Sequence, residues 1–129
     1  MKLSTSINIA FLSFLARATS TYAGTVMTGG FATFFSQGGV AGACGTVHQD
    51  SDLIGAIDVA RYGNPGTQSS LCFHQARITN VNNGKSVTIT ITDVCVSCQN
   101  NNSFDLSTGA FSAIASLSDG IIPITWEFL

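Results

Sequence analysis

Seven carboxylates are the only acidic side chains in this 129-residue chain, and two of them, Asp93 and Asp105, stand where acid–base chemistry is most readily built. Asp93 follows a strictly alternating run, and Asp105 stands just ahead of a segment with helical spacing. Asp93 is therefore expected to end a strand and Asp105 to open a helix, the element ends at which functional side chains concentrate. Two carboxylates brought close together would raise one pKa toward the working range of a general acid. Each also has a plainer use. Asp105 can favour the positive end of the helix that follows, and Asp93 can accept from backbone amides of the cysteine-rich loop. Asp50 and Asp52, in the string DSD, are expected as turn formers. Inverting glycoside hydrolysis needs an acid and a base about 6.5–9.5 Å apart, and a retaining mechanism needs a nucleophile at about 5–5.5 Å. Seven acids make such a pair possible. His48 and His74 have no nucleophile nearby in sequence and are read as polar loop or strand residues.

Phe34, Phe35, Tyr62 and Trp126 could offer a stacking platform for sugar rings. Phe34 and Phe35 adjoin and must point to opposite faces of a strand, so one of them is core. Trp126, in a terminal strand, is also expected in the core, and Tyr62 is a candidate for ligand contact. The four cysteines, Cys44, Cys72, Cys95 and Cys98, include a C-x-x-C pair, and Cys72-x-His74 could join it at a tetrahedral zinc. A second C-x-x-C is missing, and no βαβ unit surrounds the motif as a redox loop would require. Disulfides are expected instead, with three pairings open, and no metal. No dinucleotide fingerprint occurs, so no cofactor is expected.

The elements that must hold these residues are mostly short strands. Val87 to Thr92 alternates with period two, putting Val87, Ile89 and Ile91 on one face. Ala76 to Asn80 precedes it through Val81-Asn82-Asn83-Gly84, a loop suited to a tight hairpin. Phe31–Phe35, Leu53–Ile57 and Ile122–Phe128 read as further strands, with Pro123 at a start or an edge, and a short helical turn follows Ile57. Thr108 to Leu117 has helical spacing, with Ser107 placed to cap it. These add up to a small β-barrel of five to seven strands with one helix.

Residues 1–23 have the layout of a secretory signal: Lys2, a short apolar run, then Thr21-Tyr22-Ala23 as a small-x-small site. The run is too short to span a membrane. Residues 24–129 are then the single mature domain, more acidic than the whole because Lys2 and Arg17 leave. A hydrophobic share of 45%, a charged share of 9% and a mean hydropathy of +0.34 exclude disorder. Five basic residues and a pI near 5.4 give no footprint for nucleic acid or an anionic membrane. With no apolar stripe left over, a monomer is expected. Asn101-Asn102-Ser103 is a sequon, which makes Asn101 a candidate glycosylation site.

The strings FATFF (31–35), GACG (42–45), DSDLIGAI (50–57), TDVCVSC (92–98), FDLSTGAF (104–111) and IPITWEF (122–128) follow in order the pattern of the double-psi β-barrel domain. The chain resembles the barwin-like, rare lipoprotein A-like and expansin domain 1-like proteins, and among them small secreted loosenins, riboflavin aldehyde-forming enzyme-like proteins and a bacterial papain inhibitor. The resemblance implies a mainly β fold, a six-stranded double-psi β-barrel with one or two short helices. It carries Thr33, Asp93 and Asp105 into a polar groove, where Asp105 corresponds to a glycosidase-like acid without an identifiable base. Two departures occur, Cys72-Phe73 in place of Cys-Gly and Cys95-Val96-Ser97-Cys98 in place of Cys-Pro-x-Cys. Barwin-like relatives imply Cys44 with Cys95 and Cys72 with Cys98, the pairing favoured here, whereas expansins imply Cys44 with Cys72. The implied function is that of a secreted, extracellular protein that binds cell-wall polysaccharide, cellulose or chitin, and loosens it without hydrolysis. Alternatives implied by the same resemblance are inhibition of a papain-like cysteine protease and oxidation of riboflavin.

Overall fold

The computed structural model describes residues 24–129; the secretory segment expected at residues 1–23 lies outside them. Six strands close into a barrel: β1 (Met27–Phe35), β2 (Ile54–Asp58), β3 (Gln75–Asn80), β4 (Ser86–Cys95), β5 (Phe104–Ser107) and β6 (Ile122–Phe128). Around the barrel the order is β1-β5-β2-β4-β3-β6. The β1–β5 and β2–β4 pairs are parallel and the other four antiparallel. A helical turn, α1 (Val59–Tyr62), follows β2, and α2 (Thr108–Ile114) follows β5, with a 3-10 turn at Leu117–Asp119.

Period-two alternation builds the interior. Val87, Ile89 and Ile91 of β4 face Ala76 and Ile78 of β3, while Ile122, Ile124, Trp126 and Phe128 arrive from β6, and all are buried. Trp126 packs edge-on against Phe104 at 4.9 Å and Phe128 at 5.0 Å, with the Arg61 guanidinium 5.1 Å from its ring centroid. Its indole N–H donates to Asn102 O at 2.9 Å, so the expectation of a core tryptophan holds. The β3–β4 hairpin turns through Asn82-Asn83-Gly84, with Gly84 at φ 75°. Pro123 is the second residue of β6.

The helix ends earlier than its spacing predicts. Both Asn80 Nδ2 and Asn83 Nδ2 donate to Ile114 O, at 2.8 and 2.9 Å, occupying a carbonyl left unpaired at the helix end. Ser107 caps the other end, accepting from Ala110 N at 3.2 Å. The segment Phe104–Ser107, expected to lead into a helix, is instead a strand that closes the barrel between β1 and β2. Four residues that include Asp and Ser are too few and too polar to show a strand period.

The favoured disulfide pairing is corrected. Cys44 bonds to Cys72 and Cys95 to Cys98, each with Cα atoms 5.6 Å apart. The reason lies along β4. Cys44 N–H donates to Thr92 O at 3.2 Å, and Phe73 N–H, next to Cys72, donates to Ile91 O at 2.7 Å. Both cysteines are thus anchored at the Ile91–Thr92 level. Cys95 lies three residues beyond Thr92, roughly 10 Å at the rise of a strand and past the reach of a disulfide. By loop-closure entropy the Cys44–Cys72 link, separated by 28 residues, contributes about 3–4 kcal/mol, and the short Cys95–Cys98 loop about 2 kcal/mol. Replacing Cys44 and Cys72 together by Ser is expected to lower the melting temperature by more than about 10 °C. The Cys95→Ser, Cys98→Ser pair should cost distinctly less, and thermal denaturation in which the second pair proves the costlier refutes this ranking.

Candidate functional site

Four strands bring one row of residues together. Thr33 of β1 pairs with Asp105 of β5, Asp105 with Ala56 of β2, and Ala56 with Asp93 of β4. Cross-strand partners share a face of the sheet. The neighbouring positions Ala32, Phe104, Ile57 and Leu106 point inward and are fully buried, so the row presents its side chains on the outer face. Thr33 Oγ1 donates to Asp105 Oδ1 at 2.9 Å. With neighbouring strands about 4.8 Å apart, the backbones of Asp105 and Asp93 are separated by roughly 10 Å across Ala56.

Asp93 reaches this face through an irregularity in its strand. Gly55 pairs with Ile91, but the next residue, Ala56, pairs with Asp93, so Thr92 is skipped. Strict alternation from Val87, Ile89 and Ile91 would place Asp93 inside the barrel. The extra residue turns it outward, which is how a β-bulge re-aims a side chain. Asp93 does not end the strand, which continues to Cys95. Its Oδ1 accepts from Ala43 N and from its own neighbour Val94 N, both at 2.8 Å. The plainer reading of Asp93 as an acceptor of backbone amides therefore holds: its Oδ1 ties down the GACG loop and the adjoining Val94 amide. Gly42 makes that contact close, since a Cβ there would stand 2.6 Å from Thr92 O and 3.0 Å from Asp93 Cγ.

Asp105 does not open the helix; it sits within β5, hydrogen-bonded to Thr33 and half-buried. Loss of solvent around the carboxyl raises its pKa above the ordinary value of 3.8, the Thr33 hydroxyl pulls it partly back, and the charge of Asp93 raises it further. The predicted effect of two neighbouring carboxylates is therefore present, although burial is the larger cause.

The segment between β1 and β2 touches the sheet at two places: Gly42 and Ala43 rest on Asp93, at one end of the row, and beyond Asp105 along β5, Ser107 Oγ donates to Asp52 O at 2.6 Å and Gly109 N–H to Asp50 O at 2.9 Å. Asp50 also accepts from Ser36 Oγ and Gln37 N, and Asp52 from Gln49 N, so both are loop formers as expected. His48, read as a polar loop residue, joins Thr46 Oγ1 (2.8 Å) to Asp52 Oδ2 (3.3 Å). That chain was missed because the three residues are spread over a loop with no period. A cleft of about 580 Å³ opens beside it, lined by Ser36, His48, Asp50 and Asp52 among others.

Tyr62 is not brought to the row. It is 4% exposed and donates through its hydroxyl to Thr67 O at 2.8 Å, so neither face of its ring is offered to a ligand. Phe34 packs on Phe111 with centroids 5.0 Å apart. Asn101 is exposed, while Ser103 of its sequon is buried and donates to Asn100 Oδ1. Among the described residues no group of three His, Cys, Asp or Glu side chains is arranged to hold a metal.

A family model described as lytic transglycolase matches residues 27–126. Expansin-like protein 5 of Dictyostelium discoideum is 35% identical over 114 residues, which cover 82% of this chain and 46% of that protein. The chain thus spans about half the length of the curated relative it matches. The Streptomyces papain inhibitor superposes with a TM-score of 0.70 at 31% identity, covering 83% of this chain and 96% of the inhibitor. A mutant Clavibacter michiganensis expansin, solved in complex with cellohexaose, superposes with a TM-score of 0.68 at 24% identity, covering 81% of this chain and 50% of that one. Identity that low speaks for a shared fold.

Two outcomes follow from the geometry. Gly42→Ala forces a methyl group against a backbone oxygen, and is expected to cost about 1–3 kcal/mol. An unchanged melting temperature would contradict the close packing of this loop on β4. Asp105 has a folded-state pKa above its unfolded value, so its contribution to stability is complete below the unfolded value and is lost as pH rises through the folded one. Asp105→Asn should therefore match the wild type near pH 3 and melt higher than it at pH 7. A gap that stays constant with pH, or an Asn variant less stable at pH 7, sinks this account.

Proposed function

The chain belongs to the double-psi β-barrel family whose model is described as lytic transglycolase, and on that footing we propose that it is an expansin- or loosenin-like protein acting on cell-wall polysaccharide. In this reading it binds cellulose or chitin at Thr33, Asp105 and Asp93, which lie on either side of the buried Ala56, and loosens it without hydrolysis. The observation that carries the proposal is one carboxyl made easier to protonate, lying on an outer face with a hydroxyl beside it and a second carboxylate two strands away. Protonated Asp105 donates a hydrogen bond to a sugar oxygen, and the free oxygen of Asp93 accepts from a sugar hydroxyl. Such bonds replace those between polymer chains at little net cost, so neighbouring chains can part without a glycosidic bond being cut. Asp93 spends its other oxygen on the GACG loop and serves mainly to hold the rim and to raise the Asp105 pKa.

The 35% identity to an expansin-like protein supports this reading, as does the Clavibacter expansin solved in complex with cellohexaose, half of whose chain shares this fold. Two disulfides among the described residues suit an oxidising compartment. We propose accordingly that residues 1–23 are a cleaved secretory signal and that the domain of residues 24–129 acts outside the cell as a monomer.

A second reading has its own support. The papain inhibitor is 31% identical and superposes over 96% of its own length, so inhibition of a papain-like cysteine protease through exposed loops is the rival. Depletion from solution by insoluble cellulose and chitin separates the two. The wild type is expected to be retained on at least one polymer, and retention should fall at least tenfold in Asp105→Ala. Retention should also weaken as pH rises through the Asp105 titration, and Asp93→Asn, which removes the charge that raises that pKa, should shift the decline to lower pH. Absence of retention on both polymers, or equal retention by Asp105→Ala, overturns the proposed site; slowed hydrolysis in a papain assay then favours the rival.

A further inference from the structure

Among the described residues Phe73 is the one non-glycine residue with a positive φ, 70°. Its N–H donates to Ile91 O at 2.7 Å, while Ile91 N–H donates to His74 O at 2.9 Å. Phe73 and His74 therefore oppose the single residue Ile91 in a β-bulge whose first position is ordinarily glycine, since a left-handed backbone crowds any Cβ. Phenylalanine there costs stability, and burial returns little of it, because Phe73 is 46% exposed. A strained backbone and a solvent-facing aromatic ring at the same residue both oppose folding, which is the pattern of a residue retained for contact with something outside the chain.

Its location identifies that contact. Cys72, the preceding residue, is bonded to Cys44. Cys44 N–H donates to Thr92 O, and Ala43 N–H to Asp93 Oδ1. Phe73 and the GACG loop thus hold the same edge of β4, and Ile91, where Phe73 is pinned, lies two residues or roughly 7 Å along the strand from Asp93. On the other edge of β4, Asp93 pairs with Ala56. The backbone of Phe73 is thus pinned to β4 two residues before Asp93, the end of the row on that strand.

We propose that Phe73 is an aromatic stacking platform for a pyranose ring at the Asp93 end of the groove. The inference rests on the polysaccharide reading above and narrows it. A phenyl ring has no hydrogen-bonding atom, so it selects the C–H face of a sugar. That face is flattest where all ring substituents are equatorial, as in β-1,4-linked glucan, and an axial hydroxyl would lift the ring away.

Phe73→Gly and Phe73→Trp in the full chain provide the test, read by cellohexaose titration, cellulose depletion, papain inhibition and melting temperature. Glycine restores the residue suited to the bulge, so its melting temperature should equal or exceed that of the wild type while cellohexaose affinity falls about tenfold. Tryptophan should keep or improve the affinity. Wild-type affinity in Phe73→Gly overturns the platform and leaves the groove reading standing. A lowered melting temperature in Phe73→Gly shows that the ring serves the fold, and loss of papain inhibition with glucan affinity intact assigns it to a protein contact; either result overturns the proposal. A wild type that binds neither cellohexaose nor cellulose overturns the groove reading and the platform together.

Discussion

Between Gly55 and Ala56 the parallel pairing of β2 with β4 slips by one residue, and the orientation of Asp93 depends on that slip. Up to Ile91 the strand alternates between barrel interior and outer face. Past Thr92 the order is inverted, so a carboxylate that would have been buried among isoleucines comes to the outer face opposite Ala56. An ionised carboxylate left inside an apolar barrel would cost several kcal/mol, so the slip is as necessary to the fold as it is to the site. The loop 42–44 then has a defined seat: Cys44 hydrogen-bonds to the carbonyl of the bulged residue, Ala43 to the Asp93 carboxylate, and Gly42 packs without a side chain against both.

The electrostatics of the row follow from that geometry. Asp105 loses water because it is flanked by β1 and β2, and no cation stands among the residues that set its pKa: the Thr33 hydroxyl is the stabilising partner, and the Asp93 charge opposes ionisation. A chain with few charges is suited to this, because there is little nearby to neutralise a half-buried acid. Protonation then depends on burial and on one neighbour, both set by strand register. The two links of the Cys44–Cys72 region, covalent and hydrogen-bonded, secure the register on the other side of β4.

Legibility varied with the kind of signal. The β3–β4 hairpin, the strand core of Val87, Ile89 and Ile91, the cap at Ser107 and the buried Trp126 were all readable, because each rests on local periodicity or a side chain's own chemistry. The strand Phe104–Ser107 was not, since its four residues adopt extended structure only through partners on both sides. Tyr62 looked available as an aromatic and proved buried, because α1 turns it back against Cys72 and Thr67. Cysteine pairing was misjudged for a related reason: the choice depends on which cysteines lie level with Ile91 and Thr92, a distance along β4 that spacing in the sequence does not encode.

The sequence by itself determined the barrel class, the expectation of disulfides, and the choice of Asp93 and Asp105 as candidates among seven acids. It could do so because hydrophobic alternation, cysteine count and motif order are properties of the chain read in one dimension. Only the tertiary structure decided that Thr33 hydrogen-bonds to Asp105, that Asp105 lies within a strand, and that Phe73 occupies a left-handed bulge. Those outcomes depend on register between strands distant in sequence, and a one-residue shift in pairing reverses the face on which every later side chain appears.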